Sequence, residues 1–368
     1  MRGTITWWSA LATLLFWPPL AAGLSLWASS VSVSTSTATN VGTELSQIQR
    51  YQQALRPPFC DGPCGGTVHR IPAPGNLRML LPQRSVDVWL PPDYRYTYSS
   101  LTTNRGDSAQ QKKRRQHPVL YCHDGQNVMS DHSSWTGASW RLIGALARLA
   151  DLGLLRRNVT TPIVVMIPSA NGDWIPGIRR RHLEYGEGPF ADAHAEWVAK
   201  TIVPMIDGKF STNPNERYAM GSSLGGQASM QLVLRYPDLF HGAACLSPYF
   251  QPSTVAAVRK MASAANTSNN QLQSKRFYID IGGDMGEAKV PLFDVQDHLT
   301  PEHWWNPGYW WLDSQLQPGV TAMREALQTQ QLLRYHEEPG GRHNERAWAQ
   351  RVHLPLLFLF GKEEKLRP

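Results

Sequence analysis

Val86, Val88 and Leu90 alternate with Asp87 and Trp89 ahead of Pro91-Pro92, a period of two that predicts a strand. Short apolar runs follow at 118–122, 162–167, 217–220, 243–246 and 276–281, each of a length that suits a buried strand. Between them the period changes. Ile143, Leu146, Leu149 and Leu152 recur at helical spacing within 138–154, and 190–208 and 225–236 have the same character. A further strand is expected at Leu332–Tyr335, followed by a helical segment containing Ala347, Trp348 and Val352, which Pro355 should end or kink. This alternation, beginning at about residue 66, predicts an α/β fold: a mostly parallel central sheet with helices on both faces. In such sheets the chemistry sits in loops at the carboxyl ends of the strands. No internal repeat is visible.

The beginning of the chain follows a different pattern. Residues 5–17 form an uncharged apolar run after Arg2, closed by Pro18-Pro19 and the small residues Ala21, Ala22 and Gly23, which is signal-peptide anatomy. The run is shorter than the roughly 20 residues that span a bilayer. Residues 1–27 are therefore expected to be a signal peptide, with a retained signal anchor as the alternative. Residues 28–65 read as a Ser/Thr-rich linker and N-terminal extension, and 66–362 as the α/β domain. Sequons at Asn158 and Asn266 fit a glycoprotein of the secretory pathway, secreted or held in an organelle lumen, or membrane-anchored if the first segment is retained.

The most informative stretch is Met220-Gly221-Ser222-Ser223-Leu224-Gly225-Gly226, which joins an apolar strand to a helix carrying Ala228, Met230, Leu232 and Leu234. Read as GxSxG, it centres on Ser223; the neighbouring Ser222 lacks glycines at both required positions. Glycines two residues either side permit a strand-to-helix turn so tight that a Cβ would collide, and the turn lifts the serine hydroxyl out of the chain. The Leu224 N–H and the positive end of the helix then face any charge growing on a substrate oxygen.

A serine hydroxyl needs a base, and in strand-turn-helix hydrolases the histidine comes last in chain order. That leaves His336, His343 and His353, of which His343 is best placed, in Gly340-Gly341-Arg342-His343-Asn344 after the last strand. An orienting carboxylate belongs after the strand at 277–281: Asp284 directly follows Gly282-Gly283, Glu287 is the alternative acid, and Asp280 sits too early. The second oxyanion donor is expected from the Gly125-Gln126 turn after Val119–His123. His123-Asp124 also suggests a metal-dependent phosphohydrolase, but no further ligands of such a set are legible, and the serine reading requires neither metal nor cofactor.

LPPDY at 90–94, VLYCHDGQN at 119–127, IVVMIPSAN at 163–171, RHLEY at 181–185, GSSLGG at 221–226, YPDLFHGAACLSPYF at 236–250, IDIGGDMGE at 279–287 and GGRHNERAW at 340–348 stand in order. In this series the chain resembles the putative-esterase family of α/β-hydrolases, which includes esterase D, enterochelin-type and feruloyl esterases and mycolyltransferases. The resemblance covers about residues 66–360. It implies an α/β-hydrolase fold, Ser223 as nucleophile, His343 as base and an acid just after Gly282-Gly283. It also places Arg181, Glu184 and Tyr185 near the rim of the site. Relative to that family, residues 288–312 look long and carry Trp304, Trp305, Trp310 and Trp311, expected either to cap the pocket and bind substrate or to pack against the body.

Composition narrows the function further. The 368 residues are 42% hydrophobic and 18% charged, enough to bury a core. The net charge of +7 is matched by Lys112–Arg115 and Arg179–Arg181 alone, so it is local and does not make a nucleic-acid-binding face. Of four cysteines, Cys60 and Cys64 can close a small loop in an oxidising compartment, with metal binding the lesser reading, while Cys122 and Cys245 fall in core runs. The expectation is a serine esterase acting on a small-molecule or glycan-linked ester. Acyl transfer by the same triad, or a non-catalytic binding role for the fold, are the alternatives; oligomeric state is not legible.

Overall fold

The computed structural model describes residues 50–75, 81–94, 116–156, 159–170, 172–176, 178–263, 272–283, 308–328, 333–339 and 341–362, with the side chains of 175, 283, 308–315 and 339 outside that description. The N-terminal segment, both sequon asparagines and the Lys112–Arg115 run lie outside the described residues, as do Asp284, Glu287, Trp304 and Trp305.

The strands run β1 (Thr67–Ala73), β2 (Arg84–Leu90), β3 (His117–His123), β4 (Ile163–Ile167), β5 (Asp173–Ile175), β6 (Ile178–Arg179), β7 (Thr212–Ser222), β8 (Gly242–Leu246), β9 (Arg276–Gly283) and β10 (Leu333–Pro339). Eight of them form one sheet in the order β1-β2-β4-β3-β7-β8-β9-β10. β2 pairs antiparallel with both β1 and β4, and every pairing from β4 to β10 is parallel. β5 and β6 make a separate two-stranded hairpin.

Parallel strands need covered crossovers, and the apolar runs are continuous because both faces are buried. Val119, Tyr121, Ile163, Val165, Ala243, Cys245, Phe277 and Ile279 point to one face. Leu120, Cys122, Val164, Met166, Ala244, Leu246 and Tyr278 point to the other. On the second face lie α1 (Leu142–Asp151) and two helices from the end of the chain. The first face is covered by α3 (Pro189–Trp197), a π-helical turn at Val198–Ile202, α4 (Val203–Lys209), α5 (Leu224–Arg235), α6 (Pro252–Ser263) and α7 (Gly308–Leu327); the short α2 (Arg180–Tyr185) precedes α3. The chain-terminal helices are α8 (Glu345–Arg351) and α9 (His353–Phe360).

Three features differ from the sequence reading. Leu55 and Phe59 are 3% and 4% exposed in the second core, so the folded body takes in residues before 66; Cys60 and Cys64 are disulfide-bonded at that margin. The last strand, expected over Leu332–Tyr335, runs on to Pro339, so His336 lies within β10, half-buried and beside Glu338, where the sequence had it ending the strand. Residues 308–312, expected as part of a long loop, begin the 20-residue α7, and Trp310 and Trp311 stand on its first turns. A cluster of aromatic residues there carries no period that separates helix from loop.

Beneath the carboxyl ends of β8 and β9 lies a fully buried ion pair. Arg351 Nε donates to Asp280 Oδ2 at 3.0 Å and its Nη2 donates to Asp280 Oδ1 at 3.1 Å and to Ser247 Oγ at 2.9 Å. The Ser247 N–H donates to Asp280 Oδ1 at 2.9 Å. With both carboxylate oxygens and three guanidinium protons so engaged, the pair ties α8 to the sheet. Asp280→Ala would leave the Arg351 charge buried without its partner, and is expected to lower unfolding free energy by about 3–5 kcal/mol in urea titration; wild-type stability would show that the pair does not anchor α8.

Candidate active site

β7 ends at Ser222 and α5 starts at Leu224, so Ser223 alone makes the turn. Its φ of 54° and ψ of −126° lie where a side chain is strained. The conformation persists because the surroundings determine it. Ser223 N–H donates to the Leu246 carbonyl at 2.9 Å, and its own carbonyl accepts from Gly226 N at 3.0 Å and Tyr249 N at 3.1 Å. A Cβ on Gly221 would lie 2.3 Å from the carbonyl carbon and oxygen of Gly225, and one on Gly226 would lie 2.8 Å from Pro248 Cβ. The two glycines therefore let the strand and helix close on each other. Leu224, first residue of α5, has an N–H with no intrahelical acceptor, and the residue lines the same cavity as Ser223.

The turn expected to supply the second donor is a 3₁₀ segment, Gly125–Asn127, opened by Asp124 in the left-handed region at φ 54°. A Cβ on Gly125 would fall 2.4 Å from the Met166 carbonyl carbon, so the turn lies directly on the end of β4. Gln126 is held by a two-bond ring with Ser169: its Nε2 donates to Ser169 Oγ at 3.0 Å and its Oε1 accepts from Ser169 N at 3.1 Å.

The RHLEY segment braces this turn from behind. Arg181 donates to Asp124 through Nε at 2.8 Å and Nη2 at 2.7 Å, while Asp124 N donates to the Tyr185 hydroxyl at 3.2 Å. Glu184 is buried and accepts from Arg84 Nη2 at 2.7 Å. His123 Nδ1 donates to Ser229 Oγ at 2.9 Å, and that hydroxyl donates to the Gly225 carbonyl at 2.8 Å. His123 and Asp124 thus have structural partners, and among the described residues no group of three His, Cys, Asp or Glu is arranged to hold a metal ion.

His343 comes from the loop after β10, as expected, and is 7% exposed. Its ring packs edge-on against Trp348, centroids 5.1 Å apart. Burial, then the Arg351 and Arg181 guanidiniums, push its pKa down to about 3, which keeps the imidazole neutral and able to accept a proton. Asn344 caps α8 by accepting from Ala347 N at 2.9 Å. A Cβ on Gly282 would lie 2.7 Å from the Gly341 carbonyl oxygen, so the end of β9 and the histidine loop run in contact. The acid candidates Asp284 and Glu287 follow that end of β9, outside the described residues. Asp280, set aside in the sequence as too early, is engaged by Arg351.

Ser223, Leu224, Gln126 and His343 line one cavity of about 970 Å³. The arrangement therefore brings together the residues expected as nucleophile, base and oxyanion donor, although 120 residues separate Ser223 from His343. The cavity also receives Trp135, Tyr249, Glu345 and Trp348, which the sequence reading did not single out as site residues. Trp135 is 64% exposed at the mouth, in a loop pinned by Asp131, which accepts from Ser139 N at 2.8 Å and Arg141 Nη2 at 2.6 Å. The turn-forming SSWTG run at 133–137 was the available signal for it. Glu345, two residues past the histidine, is 4% exposed, and burial raises its pKa above the ordinary carboxylate value.

A sheet in which β2 alone runs against the other strands, a serine at a strained strand-to-helix turn and a histidine after the last strand define an α/β-hydrolase. The family model described as putative esterase matches residues 83–353, and the chain belongs to that family. Among solved structures the chain is similar to a ferulic acid esterase, at 15% identity and a TM-score of 0.50, over 80% of this chain and 97% of that one. It is also similar to the BES protein from Bacillus cereus, at 12% identity and a TM-score of 0.51, over 79% and 94%. Both likenesses concern the fold. The uncharacterized protein YjcH of Bacillus subtilis (strain 168) is 25% identical over 126 residues, which is 34% of this chain and 50% of YjcH, so the match spans half the length of that curated relative.

Two outcomes test this geometry. Gly221→Ala forces a Cβ into the Gly225 backbone and should destabilise the fold by about 1–3 kcal/mol in denaturant titration, an overpacking cost; an unchanged midpoint would mean the elbow is looser than drawn. A depressed histidine pKa keeps the neutral base populated as pH falls below 6.5, so the acid limb of kcat/KM for a nitrophenyl ester should lie below that value. Arg181→Gln removes a positive charge near His343 and should move the limb upward; a downward shift contradicts the electrostatics.

Proposed function

We propose that the protein is a serine carboxylesterase working through an acyl-enzyme on Ser223. The observation that carries this reading is the strained Ser223 elbow opening into the same cavity as the neutral, buried His343. His343 takes the Ser223 proton as the hydroxyl oxygen attacks the ester carbonyl carbon. The resulting oxyanion lies between the Leu224 N–H and an N–H of the Gly125-Gln126 turn, each such donor worth about 3–4 kcal/mol of barrier. Collapse of the tetrahedral species breaks the bond to the alcohol oxygen, which leaves with the proton from His343. Water then attacks the acyl carbon and gives its proton to His343; the bond to Ser223 Oγ breaks as His343 passes that proton to it, releasing the acid and the free enzyme. Asp284, or Glu287 in its place, holds the imidazole tautomer. No cofactor enters any step.

The substrate we infer is a small-molecule or glycan-linked ester. A cavity of this volume suits a drug-sized molecule, and Trp135, Tyr249 and Trp348 offer it aromatic walls. Trp304, Trp305, Trp310 and Trp311 remain part of this proposal as further substrate contacts. We place the protein in the secretory pathway, on the strength of the N-terminal apolar run, the sequons and the Cys60–Cys64 disulfide.

A fluorophosphonate probe should label the wild-type protein at Ser223, located by peptide mass mapping. Ser223→Ala should lose both labelling and release of nitrophenol from short acyl esters, by at least about 1,000-fold in kcat/KM. Turnover retained in that variant would remove the mechanism.

A further inference from the structure

The expected base and oxyanion turn belong to loops more than two hundred residues apart, yet a buried carboxylate two residues after the first reaches across to the second. Glu345 stands two residues after His343, in the first turn of α8. Its Oε1 accepts from Asn127 Nδ2 at 3.0 Å, and its Oε2 accepts from Thr136 Oγ1 at 3.1 Å. Asn127 is the last residue of the Gly125–Asn127 turn. Its other amide atom, Oδ1, accepts from Ser134 Oγ at 3.2 Å and Trp135 N at 3.4 Å, and its backbone carbonyl accepts from Trp140 N at 2.8 Å. Asn127 is therefore the hub on which the turn and the Trp135 loop are hung, and Glu345 fixes that hub to the histidine loop.

We infer that Glu345 is a positioning residue, setting the oxyanion turn in register with His343 through Asn127 and Thr136. The inference rests on the proposed function and adds to it the means by which two halves of the apparatus are held together. A carboxylate suits the task because both donors approach it with protons and neither oxygen needs to donate. Burial at 4% exposure removes competing water, which strengthens both bonds and makes their loss expensive. The role is one of geometry: misplacing a reacting group by about 1 Å can cost on the order of 100-fold in rate.

Glutamine can rebuild the bridge. Its carbonyl accepts from Asn127 Nδ2, and its amide donates to Thr136 Oγ1, whose single proton then turns from residue 345 to the Ala138 carbonyl, 3.1 Å away. Steady-state hydrolysis of p-nitrophenyl acetate by the full-length protein separates this role from others, with folded fraction fixed by circular-dichroism melting. Glu345→Ala is expected to lower kcat about 100-fold with KM changed less than about 3-fold. Glu345→Gln should recover at least about 10-fold of that loss, and Asn127→Ala combined with Glu345→Ala should be no slower than the slower single variant. Wild-type kcat in Glu345→Ala, a Gln variant as slow as the Ala variant, or additive losses in the double variant would each overturn the inference. If Glu345→Ala does not fold, Asn127→Ala with Glu345→Gln carries the same comparison: multiplied losses overturn it and shared losses support it. Fluorophosphonate labelling of Ser223 in the wild type tells the failures apart. With labelling intact, an unchanged Glu345→Ala removes this inference alone; without labelling, the inference and the proposed function fall together.

Discussion

Ser223 is held at a positive φ by a backbone that has no room to relax, and the arrangement of the site follows from that constraint. The strand before it is pinned between β3 and β8, and the helix after it lies close enough for Gly221 and Gly225 backbones to touch. The hydroxyl is consequently presented at the carboxyl edge of the sheet, where loops from β3, β4, β8 and β10 converge. Strain of this kind, of order 1–3 kcal/mol, survives because both flanking elements sit in large apolar cores whose burial exceeds it.

Electrostatic design at the site consists largely of pairing charges away from the reacting centre. Asp124 is neutralised by a bidentate Arg181, Glu184 by Arg84, and Asp280 by Arg351. Each pair fixes a loop or helix that borders the cavity, and two of the three guanidiniums also act on His343 through space. The histidine is kept neutral by burial and by cations whose principal partners lie elsewhere. The RHLEY segment, read from the sequence as a rim feature, is in this sense the support for the turn at Gly125–Asn127.

Much was legible in advance because its signals are local. The elbow needs glycines at fixed offsets within seven residues, and buried parallel strands need continuous apolar runs; both requirements are written in consecutive residues. His343 was separable from His336 and His353 because a base belongs in a loop, and the structure keeps the other two on β10 and α9. Trp135, Glu345 and Arg351 escaped notice for a common reason. A tryptophan in a turn, a glutamate opening a helix and an arginine near its end are ordinary in isolation, and their significance arises from what they meet.

What the chain alone determined was therefore the order of elements, the elbow at Ser223 and the loop position of His343, since each rests on steric or periodic demands that act over a few residues. Tertiary structure decided which distant groups share an environment: that Asp280 is engaged by Arg351, that His343 is buried among cations, and that Glu345 meets Asn127 across 218 positions. Those outcomes depend on strand order in the sheet. Parallel crossovers bring loops together at one edge irrespective of their separation in sequence, and no local pattern encodes which side chains will then lie within hydrogen-bonding distance.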